Sequence, residues 1–293
     1  MIYPDNFERK IGFSEVRTLL KGRCMSSLGT EWVDHHVTFS TDFDTVRESL
    51  AQAQEFARFM ATEEDVYEEN FYDVRQPLMR IRPERTYLEE LDLFDLKRSL
   101  QTVVSLVRFL RTACDEDEGE ALDPETAEAS PSETGTTPLY PALTRMTDGV
   151  GCFPQLIARI DRVLNKYGKI KDTATPELLN IRHTIEVTSR GISHSLRSII
   201  NQAQADGYID RDVSPTLRDG RLVIPVAPAL KRKIKGIIHD ESATGKTVFI
   251  EPAAVVDANN RIRELKAAER REIIRILQIL SSEIRPHIKE ILH

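Results

Sequence analysis

The string Thr244-Gly245-Lys246-Thr247 invites a chemical reading, because phosphate-cradling loops end in glycine, lysine and a hydroxyl residue. That pattern needs a first glycine five positions earlier, where this sequence has Asp240, and an acid there would repel phosphate. The segment that follows, TVFI, reads as a strand and not a helix, so Gly245 is expected to make a turn. His239, Asp240, Glu241 and Ser242 have the residue types of a nucleophile with its base. Neighbours in sequence seldom converge on one reacting atom, however, and a turn or surface position is expected for them. The seven histidines are scattered, and neither His35-His36 nor His183 with His194 has ligand spacing. Cys24, Cys114 and Cys152 are far apart and odd in number, which fits free thiols in a reducing cytoplasm. Glu89, Glu90 and Asp92 open a helix, where acids suit the dipole. The sequence therefore predicts no catalytic residue, no metal ligand and no cofactor within this chain.

Cations are the residues that cluster. Between Val213 and Ile250 stand seven bases (Arg218, Arg221, Lys231, Arg232, Lys233, Lys235 and Lys246) against three acids. The run KRKIK alternates with strand period, so Lys231, Lys233 and Lys235 are expected to share one face. Lysines meet phosphates as flexible point charges and read no sequence. Phe249 is the one aromatic in the segment, which argues against base stacking and for backbone contact on a duplex. The rival reading is a solvated edge strand whose lysines block unwanted pairing.

Net charge agrees with that division. The chain carries −7 overall, but residues 115–136 alone hold nine acids and no base. From Arg159 onward there are 24 Lys and Arg against 17 Asp and Glu, so an acidic N-terminal half precedes a basic C-terminal half. Hydrophobic residues make up 40%, charged residues 30% and aromatics 6%, a composition of long half-exposed helices more than of a dense sandwich. No charge-free stretch approaches the roughly 18 apolar residues of a membrane span. The start, MIYPDNFERKIGF, shows no basic region leading into an apolar run, so no signal peptide is expected.

The elements that position these cations follow from periodicity. Residues 14–35 have helical spacing, with a break expected at Gly29. Ser40-Thr41-Asp42 precedes a helix through about Phe59, with Val46, Leu50, Ala53 and Ala57 on one face. Residues 65–86 read as irregular, punctuated by Pro77 and Pro83. A helix is expected over 87–113. Residues 115–138 are acidic and rich in Ser, Thr and Pro, and are expected to form a disordered loop. A long helix is predicted over 176–207, with Thr175 as N-cap, Pro176 in the first turn and Gly207 at the stop. The period then changes: TLRDGRLVIPV reads as a hairpin turning at Asp219-Gly220, and three or four short strands follow up to Ile250. Pro252 opens a second long helix, kinked or restarted at Pro286. A helix going out and a helix returning must lie antiparallel with the sheet at one end, which makes a two-helix arm with a β tip.

With those elements placed, a resemblance emerges. The stretch LRDGRLVIPV…KIKGIIHDESATGKTVFIEPAAVVDANNRIREL is similar to the clamp and returning lever of the MutS family of DNA mismatch-repair ATPases. The opening YPDNFERKIGFSEVRTLLKGRCMSSLGTEW resembles the start of the shorter bacterial branch, which lacks the mismatch-reading domain. The phrases VIPV, GIIHDESATGKTVFIEP and KIGF…GRC…LG carry the likeness, which covers nearly the whole chain and is weakest over 115–138.

The resemblance implies a mainly α fold: a helical core at 1–172, an outgoing lever helix at 173–212, a β clamp at 213–251 and a returning lever helix at 252–293. It implies a homodimer when intact, with ATP and magnesium in ATPase domains, often a C-terminal endonuclease domain, and suppression of homologous recombination by action on branched or duplex DNA. Some members of the branch act on stalled or collided ribosomes, which keeps the ribosome as an alternative partner; a dimerisation arm without nucleic acid is a third reading. No phosphate loop, second acidic ATPase motif or nuclease segment is found up to His293, so the chain is expected to be a non-catalytic DNA-binding part. Arg218, Arg221, Lys231, Arg232, Lys233, Lys235 and Lys246 are its expected contacts.

Overall fold

A computed structural model describes residues 7–62, 70–112, 138–207, 209–210 and 212–292. The acidic segment expected to be a disordered loop lies, apart from Pro138, outside the described residues. The protein is mainly helical with one small antiparallel sheet, as its periodicities predict. It divides into two compact units, Met1–Lys169 with Gln278–His293, and Ile170–Leu277.

Among its described residues, the first unit is built from helices joined by irregular segments. Helices α1 (Phe7–Lys10), α2 (Phe13–Lys21) and α3 (Ser27–His36) open it. The break expected at Gly29 falls earlier, at Gly22 to Ser26, and Gly29 lies inside α3. The Ser26 side chain sets that boundary by accepting the Gly29 amide at 3.1 Å, which makes Ser26 an N-cap and places the glycine in the first turn. Helix α4 (Phe43–Thr62) follows Asp42, whose carboxylate accepts the Thr45 amide at 2.8 Å. Within the stretch read as irregular, Arg75–Arg80 forms a short helix, α5, which tolerates Pro77 because the first turn has no intrahelical use for that amide. Helices α6 (Glu90–Thr112), α7 (Pro141–Met146) and α8 (Pro154–Val163) complete the body of the unit. Phe59, Tyr140 and Leu143 pack as one aromatic-lined cluster, and the Glu55 carboxylate accepts the amides of Ala142 and Leu143 at the start of α7.

The second unit runs from α9 (Pro176–Ala205) through strands β1 (Thr216–Arg218), β2 (Arg221–Val226), β3 (Gly236–Glu241) and β4 (Val248–Pro252) into α10 (Val256–Ile284). The last residues of α10, from Gln278, belong to the first unit. A 3₁₀ turn over Arg285–His287 then leads into α11 (Ile288–Ile291), so the chain restarts at Pro286 as expected. Sheet order is β1-β2-β4-β3, all antiparallel. No described helix is long and apolar enough to cross a membrane.

Candidate nucleic-acid interface

The second unit is a pair of rods and a sheet, and side chains fix each joint. Thr175 caps α9 by accepting the Leu178 amide at 3.1 Å, and its hydroxyl also donates to Glu272 of α10 at 2.7 Å. Seven residues up α9 from Thr175, Arg182 donates to Glu269 at 2.7 Å. Further along, Ile192 and Leu196 share a core with Val255 and Ile262. As residue numbers rise along α9 they fall along α10, so the helices are antiparallel. The Glu272 carboxyl is held below its ordinary range, chiefly by hydrogen bonds from Arg275, with burial opposing and Thr175 assisting.

The same core takes in Ile224, Val226, Val248 and Ile250, one face of the sheet, together with Ile200, Ala203 and Ile234. The sheet therefore closes the end of the unit where α9 stops and α10 begins. Asp219 and Gly220 have φ of 45° and 76°, so both turn residues are left-handed, as a two-residue type I′ hairpin requires. At the sheet's other end, the Ser242 amide donates to the Thr247 carbonyl and the Gly245 amide to the Ser242 carbonyl, closing the loop that holds Lys246. That loop enters a buried strand, not a helix N-terminus, so Gly245-Lys246-Thr247 does not fit a nucleotide.

One carboxylate ties the sheet together. Glu251 is fully buried on β4 and accepts from Arg221 at 2.7 Å and from Asn259 of α10 at 2.7 Å, while its other oxygen lies 2.5 Å from His239 Nε2. Arg221 also donates to Asn260 at 2.8 Å. Burial pushes the Glu251 carboxyl up, but the hydrogen bonds of His239, Asn259 and Arg221 outweigh it, and the group stays below the ordinary carboxylate range. The four residues His239 to Ser242 thus do not converge as a nucleophilic set; His239 turns to Glu251 at a bulge between Ile238 and Asp240.

The expected contact residues separate into distinct environments. Arg221 is half-buried and engaged by Glu251, so its guanidinium is structural. Arg218 lies over the Phe249 ring at 4.2 Å, exposed on the edge strand. KRKIK is not a strand. Pro228–Leu230 is a 3₁₀ turn, the Lys233 amide donates to the Leu230 carbonyl, and Ile234 is buried as the anchor, so Lys231, Lys233 and Lys235 do not share a face by strand alternation. A fixed proline φ and a single apolar residue in the run favour a turn over a ladder. Lys231, Arg232, Lys233, Lys235 and Lys246 are nonetheless exposed. Among the described residues, Lys231, Arg232, Lys235 and Lys246 pair with no carboxylate. Pairing of Arg218 with Arg221 and of Gly236 with Pro252 puts Arg218 and Lys235 at one end of the sheet on opposite edges, while Lys246 sits in the loop at the other. The run passed over by the sequence reading is on α9, where His194, Arg197, Ser198 and Asn201 are all exposed. Their spacing of three and four was the signal, hidden because the apolar stripe of the same helix dominated the pattern.

A mainly helical protein in which two antiparallel helices carry a small, cation-bearing sheet is the class that this architecture defines. No family model matches the chain. Among curated proteins, one named Endonuclease MutS2 from Symbiobacterium thermophilum is 31% identical over 274 residues, 94% of this chain and 31% of that protein. Its counterpart of the same name in Thermomicrobium roseum is 31% identical over 287 residues, 97% of this chain and 33% of the relative. In Pelotomaculum thermopropionicum a third Endonuclease MutS2 is 38% identical over 148 residues, half of this chain. The chain belongs to the MutS family, in its shorter, MutS2-type branch. It spans about a third of the length of the first two relatives.

Proposed function

We propose that this chain is a DNA-clamping portion of a longer MutS-family protein, with no catalytic site of its own. The β sheet and its connecting turns grip the phosphate backbone of duplex or branched DNA, in the service of suppressing homologous recombination. The supporting observation is the set of exposed cations without carboxylate partners, Lys231, Arg232, Lys235 and Lys246, displayed on a sheet whose own orientation is fixed by Glu251 and by a shared apolar core. Cations left unpaired on a rigid frame are available to displace counterions from a polyanion, and such binding weakens steeply with salt. The ATP and magnesium that the resemblance implies, and any nuclease activity, belong on this reading to the length of the relatives that the chain does not match. The second unit then acts as a rigid transmitter: movement of α9 and α10 carries the sheet toward or away from DNA.

The test is binding of the chain to a plain duplex and to a four-way junction at 50 and 200 mM NaCl. Changing Lys231, Arg232 and Lys235 together to Glu is expected to weaken both complexes alike and to flatten the log–log salt slope by about 3. Unchanged affinity and slope in the triple variant would remove the reading.

A further inference from the structure

The α9 residues His194, Arg197, Ser198 and Asn201 lie at helical spacing, all exposed, none held by another described side chain. They line a cavity of about 460 Å³ together with Gln202. Ser198 and Gln202 also line a second cavity of about 510 Å³, whose other walls include Lys233, Lys235, Asp206 and Pro252. Ser198 and Gln202 line both, so the two open hollows adjoin along the flank of α9 and together make a shallow groove that reaches the turn preceding β3.

Charge along this groove is uneven. Arg197 stands in its α9 half without a carboxylate partner among the described residues, and Lys233 and Lys235 stand in the other half. Asp206 is its one acid, at the α9 C-terminus, and is bonded by Gln202 at 3.2 Å. The helix dipole adds negative potential at that same terminus. Asp206 shares its half with Lys233 and Lys235, so the three cations outnumber the one acid and an anion is favoured most beside Arg197, away from Asp206. Within the lining, the Ser198 hydroxyl, Asn201 amide and His194 ring supply short polar groups that bond phosphate oxygens without reading bases, beside an apolar wall of Ile199, Ala203, Ile234 and Pro252.

We infer that this groove is a second track for the nucleic-acid backbone, continuing the contact from the Lys231–Lys235 turn onto the flank of α9, with Arg197 as its principal cation. The inference rests on the DNA-clamping reading and adds to it: the polyanion meets one of the rods as well as the sheet. An extended phosphodiester chain is the occupant, since two adjoining open hollows with a cation in each match a repeating anion better than a single small one. A free nucleotide would need only one half.

The experiment uses the chain with Arg197→Gln, Asn201→Asp, the Lys231/Arg232/Lys235→Glu triple, and Arg261→Gln on α10 as an exposed cation outside the groove. Binding to a 30-base-pair duplex is measured at 50 and 200 mM NaCl, with circular dichroism confirming the fold of each variant. Loss of one phosphate contact makes the fall in affinity between those salts about threefold smaller, and that is the change expected for Arg197→Gln. Asn201→Asp is expected to weaken binding several-fold at 50 mM. Arg197→Lys is expected to restore the slope, and Arg261→Gln to leave it unchanged. If the triple variant loses binding while Arg197→Gln and Asn201→Asp match the parent, the groove inference fails and the clamp reading stands. If Arg261→Gln lowers the slope as much as Arg197→Gln, the effect is diffuse charge and the groove inference again fails. If the triple variant binds as the parent does, the clamp reading fails as well.

Discussion

Glu251 shows how a single side chain decides what its neighbours are free to do. A fully buried carboxylate is costly unless each oxygen is bonded, and here Arg221, Asn259 and His239 all converge on it. Arg221 is thereby withdrawn from the set of phosphate contacts although its position among basic residues suggested otherwise. Arg221→Ala is expected to lower the unfolding free energy by about 3 kcal/mol in urea titrations, since it leaves a buried charge short of its main partner. The same variant should not flatten the salt slope of DNA binding; if it does, Arg221 reaches phosphate after all. The acid dependence follows from the lowered carboxyl. A group that titrates lower folded than unfolded stabilises fully above the unfolded value of about 4.3, and that contribution disappears as pH falls through the folded value. The stability gap between the parent and Glu251→Gln should therefore be wide at pH 7 and narrow as pH falls below about 4.3; a gap that widened instead as pH fell would show the carboxyl to be neutral in the fold. None of this was legible beforehand. Arg221 and Glu251 are 30 positions apart, and only the pairing of β2 with β4 brings them together.

Among the elements, local signals were legible where the chemistry was local. Thr175-Pro176 at the start of α9 and Asp219-Gly220 in the hairpin each determine their own backbone, and the structure places the cap and the turn at those residues. KRKIK misled because alternating lysines imitate strand period while the apolar residues that drive pairing are missing; Pro228 and the lone Ile234 make it a turn instead. Gly29 misled because glycine marks helix ends on average, whereas Ser26 holds the real boundary. Two other glycines give predictions of opposite sign. A Cβ on Gly236 would stand 2.1 Å from the Glu251 carbonyl oxygen, so Gly236→Ala must push β3 away from β4. A loss of about 2 kcal/mol is expected, with weaker hydrogen-exchange protection along β3. A Cβ on Gly191, in the middle of α9, meets nothing within 4 Å. Gly191→Ala is expected to raise stability by about 0.5–1 kcal/mol, because it removes only backbone freedom from the unfolded chain. Equal effects of the two substitutions would mean that β3 is not tightly paired at its start.

At the scale of the whole molecule, the change from helical to strand period after Gly207 announced a separate structural region, and the charge split announced which half would carry cations. What periodicity did not announce is that α10 serves two units. Its apolar stripe runs on without interruption through Leu277, Leu280 and Ile284, so nothing in the spacing marks Gln278 as the place where the helix passes from one unit to the other. The core of the second unit is self-contained: Ile192, Leu196, Ile200, Ile224, Val248, Ile250 and Ile262 all lie between Ile170 and Leu277, as do the Arg182–Glu269 and Arg221–Glu251 pairs. Residues 170–277 expressed alone are therefore expected to fold, with strong helical circular dichroism and one cooperative transition in urea, because the buried polar side chains Glu251, Asn259 and Glu272 find their partners inside that span. The first unit lacks that independence by sequence, since Ser281 accounts for the Leu88 amide and Arg285 for the Ile81 carbonyl, both from beyond Gln278. Residues 7–169 alone should accordingly unfold without cooperativity or aggregate, and adding back 278–293 as a tethered segment should restore a sharp transition. A cooperative fold of 7–169 without that segment would show that the C-terminal turns decorate the first unit and do not complete it.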